Sequence, residues 1–213
     1  RRAGRFLLTG SANLLMMRRV SESLAGRAVY LQLSPLTESE KEGSADPGPW
    51  TALLEAADPR GAAAKLGPAR RPVAPADRIL PGGYPSAVAA ATPGARASWF
   101  DGYVRTYLER DLQSVAAISN LPDFRRLMKF AALRIGQVLN QTTLGNDAAM
   151  PHYTVHRYLN LLETSYQIVR LPPYAGNRSR RLVKAPKLYW TDVGLGAVLG
   201  GVQSAADLEG DAR

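Results

Sequence analysis

His152-Tyr153-Thr154-Val155-His156-Arg157-Tyr158-Leu159-Asn160-Leu161-Leu162, followed by Gln167-Ile168-Val169-Arg170-Leu171, is the stretch whose reading decides the fold. Val155, Tyr158, Leu159 and Leu162 stand at i, i+3, i+4 and i+7, so a helix over residues 152–166 turns them toward a core. Tyr153, Arg157 and Asn160 then share the outer face. The apolar run 167–171 reads as a strand. Upstream lie a break at Pro151, a short helix near residues 142–149 and a longer helix over residues 123–139. Downstream, a basic loop over residues 172–181 leads to the strand-like runs Leu182-Val183 and Leu188-Tyr189-Trp190. Three helices and then a two-stranded ribbon is the winged-helix order, a helix-turn-helix with a hairpin added. Two residues depart from that pattern. Gly145 lies inside the second helix at a cost of about 1 kcal/mol relative to Ala, and Pro151 stands where a Ser or Asn cap is usual, although Pro is tolerated at a helix start.

Further from this centre, Trp99, Tyr103, Tyr107, Leu108 and Leu112 recur at helical spacing and predict an amphipathic helix over residues 95–117. Residues 43–85 are rich in Gly, Pro and Ala and predict a connector with one short helix near residues 50–57. Arg5-Phe6-Leu7-Leu8-Thr9, ended by Gly10-Ser11, reads as a buried strand, and residues 14–24 read as a helix. The expected class is mixed and mainly α, in four parts. Residues 1–36 are the tail of an α/β core, 37–94 a connector, 95–187 the helical and winged-helix-like module, and 188–213 the start of a further α/β domain. A piece near residues 122–192 is expected to fold alone, and residues 1–36 are not.

The chain has 213 residues, of which 46% are hydrophobic, enough for a buried core. It contains no cysteine, which excludes disulfides, thiol nucleophiles and cysteine-bound zinc. No signal-peptide layout and no long apolar run is present, so the expected location is cytoplasmic, with no membrane partner. The opening Arg1-Arg2, without a Met and running at once into apolar residues, implies sequence upstream. The net charge is +9, and residues 122–187 hold eleven cations against Asp123, Asp147 and Glu163, a surplus of eight. Charge confined to one module is the footprint of a polyanion partner. Arg enrichment from base composition is the bland alternative.

Five stretches together resemble one family. They are Arg5-Phe6-Leu7-Leu8-Thr9-Gly10-Ser11, Glu22-Ser23-Leu24-Ala25-Gly26-Arg27, Gly82-Gly83-Tyr84-Pro85, Tyr107-Leu108-Glu109-Arg110-Asp111-Leu112, and Lys187-Leu188-Tyr189-Trp190-Thr191-Asp192-Val193-Gly194-Leu195. In this order they are similar to bacterial and archaeal AAA-type ATPases that carry a C-terminal domain of unknown function. The resemblance implies a parent protein that uses ATP and Mg, with its phosphate-binding loop upstream and a restriction-endonuclease-like part downstream. No G-x-x-x-x-G-K-S/T stretch occurs in these residues, so the chain by itself is expected to need no cofactor and to hydrolyse no ATP. Self-association through the missing ATPase core is also implied.

By the same resemblance, Ser11 and Asn13 are candidate γ-phosphate sensors at the carboxyl end of a core strand. Turn-forming and capping are their ordinary roles. Arg27 is a candidate for stabilising charge on a transferred phosphoryl group, against an ion pair with Glu22 or a solvated Arg. His152 and His156 share a helix face but lack a third ligand, so metal binding is not expected. Glu109, Arg110 and Asp111 read as a solvated face. The nucleic-acid candidates are Tyr153, Arg157 and Asn160, since Arg and Asn can bond guanine and adenine edges in the major groove. Gly176-Asn177 supplies turn chemistry to the wing, whose Arg178, Arg180, Arg181 and Lys184 are suited to phosphates. DNA is thus the expected partner. The competing expectation is a winged helix that docks a protein or a sister subunit.

Overall fold

The computed structural model describes residues 7, 9–10, 27, 29–44, 49–65, 73–111, 118, 120–174 and 184–210. The architecture is mixed and mainly α: short helices surround a two-stranded antiparallel sheet. Helix α1 (Glu38–Lys41) precedes the Gly/Pro/Ala-rich stretch, which holds α2 (Pro49–Glu55), α3 (Pro59–Ala64) and α4 (Pro75–Ile79). One helix was expected there, and the prolines explain the difference. Pro49, Pro59 and Pro75 each open a helix, where a missing N–H costs nothing and the fixed φ is already helical. None of α1, α3 and α4 buries a residue. The expected N-terminal strand and helix lie mostly or wholly outside the described residues.

Helix α5 (Pro85–Val88) is followed by α6 (Pro93–Tyr103), which begins where the Thr92 hydroxyl accepts the Ala95 N–H and continues as a π-helical segment, Val104–Asp111. Then α7 (Leu121–Ala132) starts at the Asn120 cap. It stops seven residues before the expected end at residue 139, because Gly136 takes φ +77° and the chain turns into an extended piece. That piece pairs with a later strand. The Gly136 N–H donates to Leu188 O (2.7 Å), the Leu188 N–H to Gln137 O (3.1 Å) and the Leu139 N–H to Pro186 O (2.8 Å).

Helices α8 (Gln141–Asp147) and α9 (His152–Thr164) lead into β1 (Ile168–Leu171), which pairs antiparallel with β2 (Lys187–Trp190) in the register Ile168 to Trp190. With the bridge from Val138 to Lys187, the order across this sheet edge is 138, β2, β1. Helices α10 (Val193–Leu199) and α11 (Ala205–Gly210) complete the fold. Gly145 has a packing reason. It is buried, and an added Cβ would lie 2.9 Å from Met150 O and 3.3 Å from Val155 Cγ2, so glycine lets α8 close onto α9.

The core runs across the expected divisions at residues 94 and 187. Ala87, Phe100, Leu108, Phe124, Leu159 and Leu195 are all fully buried in one cluster. Asp192, only 1% exposed, joins its edges: its carboxylate accepts the Gly83 N–H (2.6 Å) and the Leu195 N–H (2.7 Å), capping α10. A Cβ on Gly194 would come within 2.7 Å of Gly82 N and 2.9 Å of Phe100 Cζ. The Gly82-Gly83 and Asp192-Val193-Gly194 stretches are therefore interlocked by close backbone approach. Leu36 is tied to the same junction through its N–H to Gly83 O (2.7 Å). Among the described residues, no helix is long and apolar enough to cross a membrane.

Candidate functional site

Helix α9 buries Val155, Tyr158, Leu159 and Leu162, the four positions whose spacing marked the core face, together with Leu161. The Tyr158 ring meets Phe124 of α7 edge-on, with centroids 5.2 Å apart, and its hydroxyl donates to Asn120 O (3.3 Å). This contact fixes the rotation of α9. On the opposite side His152, Tyr153 and His156 are exposed, Tyr153 to 73%. The Arg157 guanidinium lies over the Tyr158 ring at 5.2 Å from its centroid, a cation–π arrangement that holds a charge at the helix surface.

Asn160 is placed differently from its two expected companions. Its carbonyl oxygen accepts from Arg170 Nη2 (2.7 Å) on β1, and its amide nitrogen faces His156 Nε2 (3.0 Å). His156 Nδ1 in turn lies 3.3 Å from Gln141 Oε1 on α8. Both ends of the Asn160 amide are thus engaged within the protein, in a chain that runs from α8 through α9 to β1. Arg170 also pairs with Glu163 through its side chain and its backbone N–H. The Arg170 hydrogen bond holds the Glu163 carboxyl below its ordinary range, against burial, which acts in the other direction.

The three acids of the basic stretch are each taken by one arginine: Asp123 by Arg126, Asp147 by Arg134, and Glu163 by Arg170. The surplus of eight positive charges therefore resides on the other cations. Among these, Arg125, Lys129, Lys184 and Lys187 are exposed. Arg178, Arg180 and Arg181 fall between β1 and β2 in the sequence and lie outside the described residues, as do Ser11 and Asn13. Arg27 is exposed in a turn.

A second site was not foreseen from the sequence. Tyr84, Tyr103 and Gln167 converge beside a cleft of about 520 Å³. The two hydroxyls are 3.2 Å apart, and Gln167 Oε1 accepts from them at 3.4 and 3.5 Å. Burial pushes both tyrosine hydroxyls up from their ordinary pKa, so both stay neutral. The Tyr103 ring stacks on Trp99 at 5.3 Å. The aromatic spacing of residues 99, 103 and 107 pointed only to a core stripe, and nothing local in the sequence ties that stripe to Gln167, sixty-four residues beyond Tyr103.

The profile of a family described as "Domain of unknown function (DUF8612)" matches residues 75–206. The chain belongs to this family. The matched span begins at the first residue of α4 and contains every buried hydrophobic side chain of the described residues, from Ala87 to Val202. Two curated relatives are "Uncharacterized protein Rv2008c" of Mycobacterium tuberculosis and "Uncharacterized protein Mb2031c" of Mycobacterium bovis. Each is 31% identical to this chain over 206 residues, which is 96% of the chain and 40% of the relative. The chain thus spans about two fifths of the length of these relatives. No solved structure matches it.

Proposed function

We propose that the DUF8612 part of this chain is a nucleic-acid-binding module within a larger cytoplasmic AAA-type ATPase, coupling a nucleotide-driven change of shape to DNA. The observation that carries the proposal is the build of residues 121–190. Three helices are closed by a ladder in which Val138, between the first and second helix, pairs with the second hairpin strand. That is the connectivity of a winged helix, and it sets the outer face of α9 beside the hairpin. The excess of cations over acids in residues 122–187 supports the same reading. ATP and magnesium belong, in this proposal, to the whole protein, as do the roles of Ser11, Asn13 and Arg27.

The interface consists of Tyr153 and Arg157 on α9 and of Arg178, Arg180, Arg181 and Lys184, which fall between β1 and β2 in the sequence. The cations between β1 and β2 position the module on phosphates and Arg157 contacts base edges. Asn160, engaged with Arg170 and His156, acts by holding α9 against β1.

Protein docking is the second reading, favoured by Val138, Val169 and Leu171, which are 61%, 48% and 52% exposed at the sheet edge. A duplex titration at several salt concentrations separates the two. DNA binding predicts a steep log–log fall, and replacing Arg178, Arg180 and Arg181 together by Ala lowers the slope by up to about 3. A flat salt response, unchanged in the triple variant, selects docking.

A further inference from the structure

We propose that the tyrosine-lined cleft beside Gln167 binds a small organic cation with an alkylammonium or guanidinium head group. The described lining includes Tyr30, Tyr84, Tyr103, Tyr107 and Tyr166, five of the nine tyrosines of the chain, and its one charged residue is Glu40. No Lys or Arg lies among those residues, although the chain carries twenty-seven. Aromatic faces attract cations through the negative side of the ring quadrupole. The Tyr84 and Tyr103 hydroxyl oxygens and Gln167 Oε1 add acceptors for the N–H groups of such a head. They are joined to one another only at 3.2 to 3.5 Å, so a stronger donor can replace those contacts. The Thr37 N–H and hydroxyl hold the Glu40 carboxyl ionised at the rim. A volume of about 520 Å³ suits a small molecule.

A separate observation concerns the backbone at the cleft. Tyr166 has φ +61° and follows the last turn of α9, where its N–H donates to Glu163 O and the Gln167 N–H to Leu162 O. That is the left-handed helix-ending position at which Gly or Asn is favoured. A tyrosine there is held against its backbone preference, and Tyr166 is one of the residues that line the cleft. Retaining the ring at a position suited to glycine points to work done by the side chain. The net charge of +9 repels cations in general, so a saturable cation complex reports a specific site.

The test uses agmatine, tetramethylammonium and acetate as probes of the 213-residue chain, by calorimetric titration and by the fluorescence of Trp99 stacked on Tyr103. Agmatine is expected to bind saturably, tetramethylammonium more weakly for want of N–H donors, and acetate not at all. Tyr166→Gly relieves the backbone and is expected to leave the unfolding midpoint no lower while weakening agmatine about fivefold or more. Tyr166→Phe keeps the ring and should stay within about twofold of the parent affinity, whereas Glu40→Gln should weaken it severalfold. Absence of saturable agmatine binding up to about 10 mM overturns the proposal. So does equal affinity in Tyr166→Gly and the parent chain.

Discussion

Residues 37–80 and residues 84–202 are both built from short helices with well-formed starts, yet they are held by different forces. In the first stretch Thr37 and Glu40 form a reciprocal capping box, and prolines open three helices, but α1, α3 and α4 bury nothing. In the second, Asp192 makes the same kind of cap from a position 1% exposed, and its other oxygen reaches across the fold to Gly83. Local sequence decides where a helix begins. Whether its cap matters to the whole molecule depends on what is buried around it.

The largest effect follows from that contrast. Asp192→Ala removes the acceptor of two buried N–H groups, each of which costs about 1–3 kcal/mol when left unpaired. Denaturant unfolding is expected to show a loss of about 3–5 kcal/mol, enough to consume much of an ordinary domain's stability, with Asp192→Asn recovering a substantial part. A loss under about 1 kcal/mol would remove the distinction between the two regions.

An intermediate effect belongs to Glu163 and Arg170, at the seam of α9 and β1. The Glu163 carboxyl is held below its ordinary value of 4.5, chiefly by the Arg170 hydrogen bond. A depressed carboxylate contributes stability that is fully present above the unfolded-state value and is lost as pH falls through the folded value. Glu163→Gln should therefore destabilise the chain by about 1 kcal/mol at neutral pH, a figure that allows for solvent screening of this partly exposed pair. The difference should vanish in strong acid. A gap between the two chains that stays constant from pH 7 to about 3 contradicts the assignment.

The same seam shows how far the sequence could be read. The core face of α9 was legible because Val155, Tyr158, Leu159 and Leu162 follow the helical period, and the strand after it because its apolar run is short and bounded. Asn160 was not legible, since the partner of its side chain is Arg170, across a turn and on another element. The end of α7 was missed for a related reason. Apolar residues continue to Leu139, but Gly136 and the pairing with β2 divert the backbone. The division at 94 followed the Gly/Pro/Ala-rich composition and the one at 187 the family resemblance, while the Asp192–Gly83 contact spans 109 residues. Proline was read as a breaker in residues 43–85 and acts there as a starter. Trp190 adds a detail invisible to any pattern: its indole N–H is buried without a partner among the described residues.

The smallest effect returns to the exposed cap. Thr37→Ala deletes the hydroxyl that accepts the Glu40 N–H and donates to the Glu40 carboxylate. Helix α1 has four residues and buries none of them, so its loss exposes no apolar surface and leaves no donor cut off from water. Water takes over the freed groups. The global unfolding midpoint should be unchanged within error, while amide exchange at Glu40 and Lys41 accelerates, because such short exposed helices open locally and independently of the core. A clear fall in the global midpoint would mean that α1 is coupled to the Leu36–Gly83 contact and through it to the Asp192 junction. The boundary between a capped surface helix and a capped core helix would then lie upstream of residue 37, and the stretch 37–80 would count as part of the cooperative unit rather than as a decoration on it.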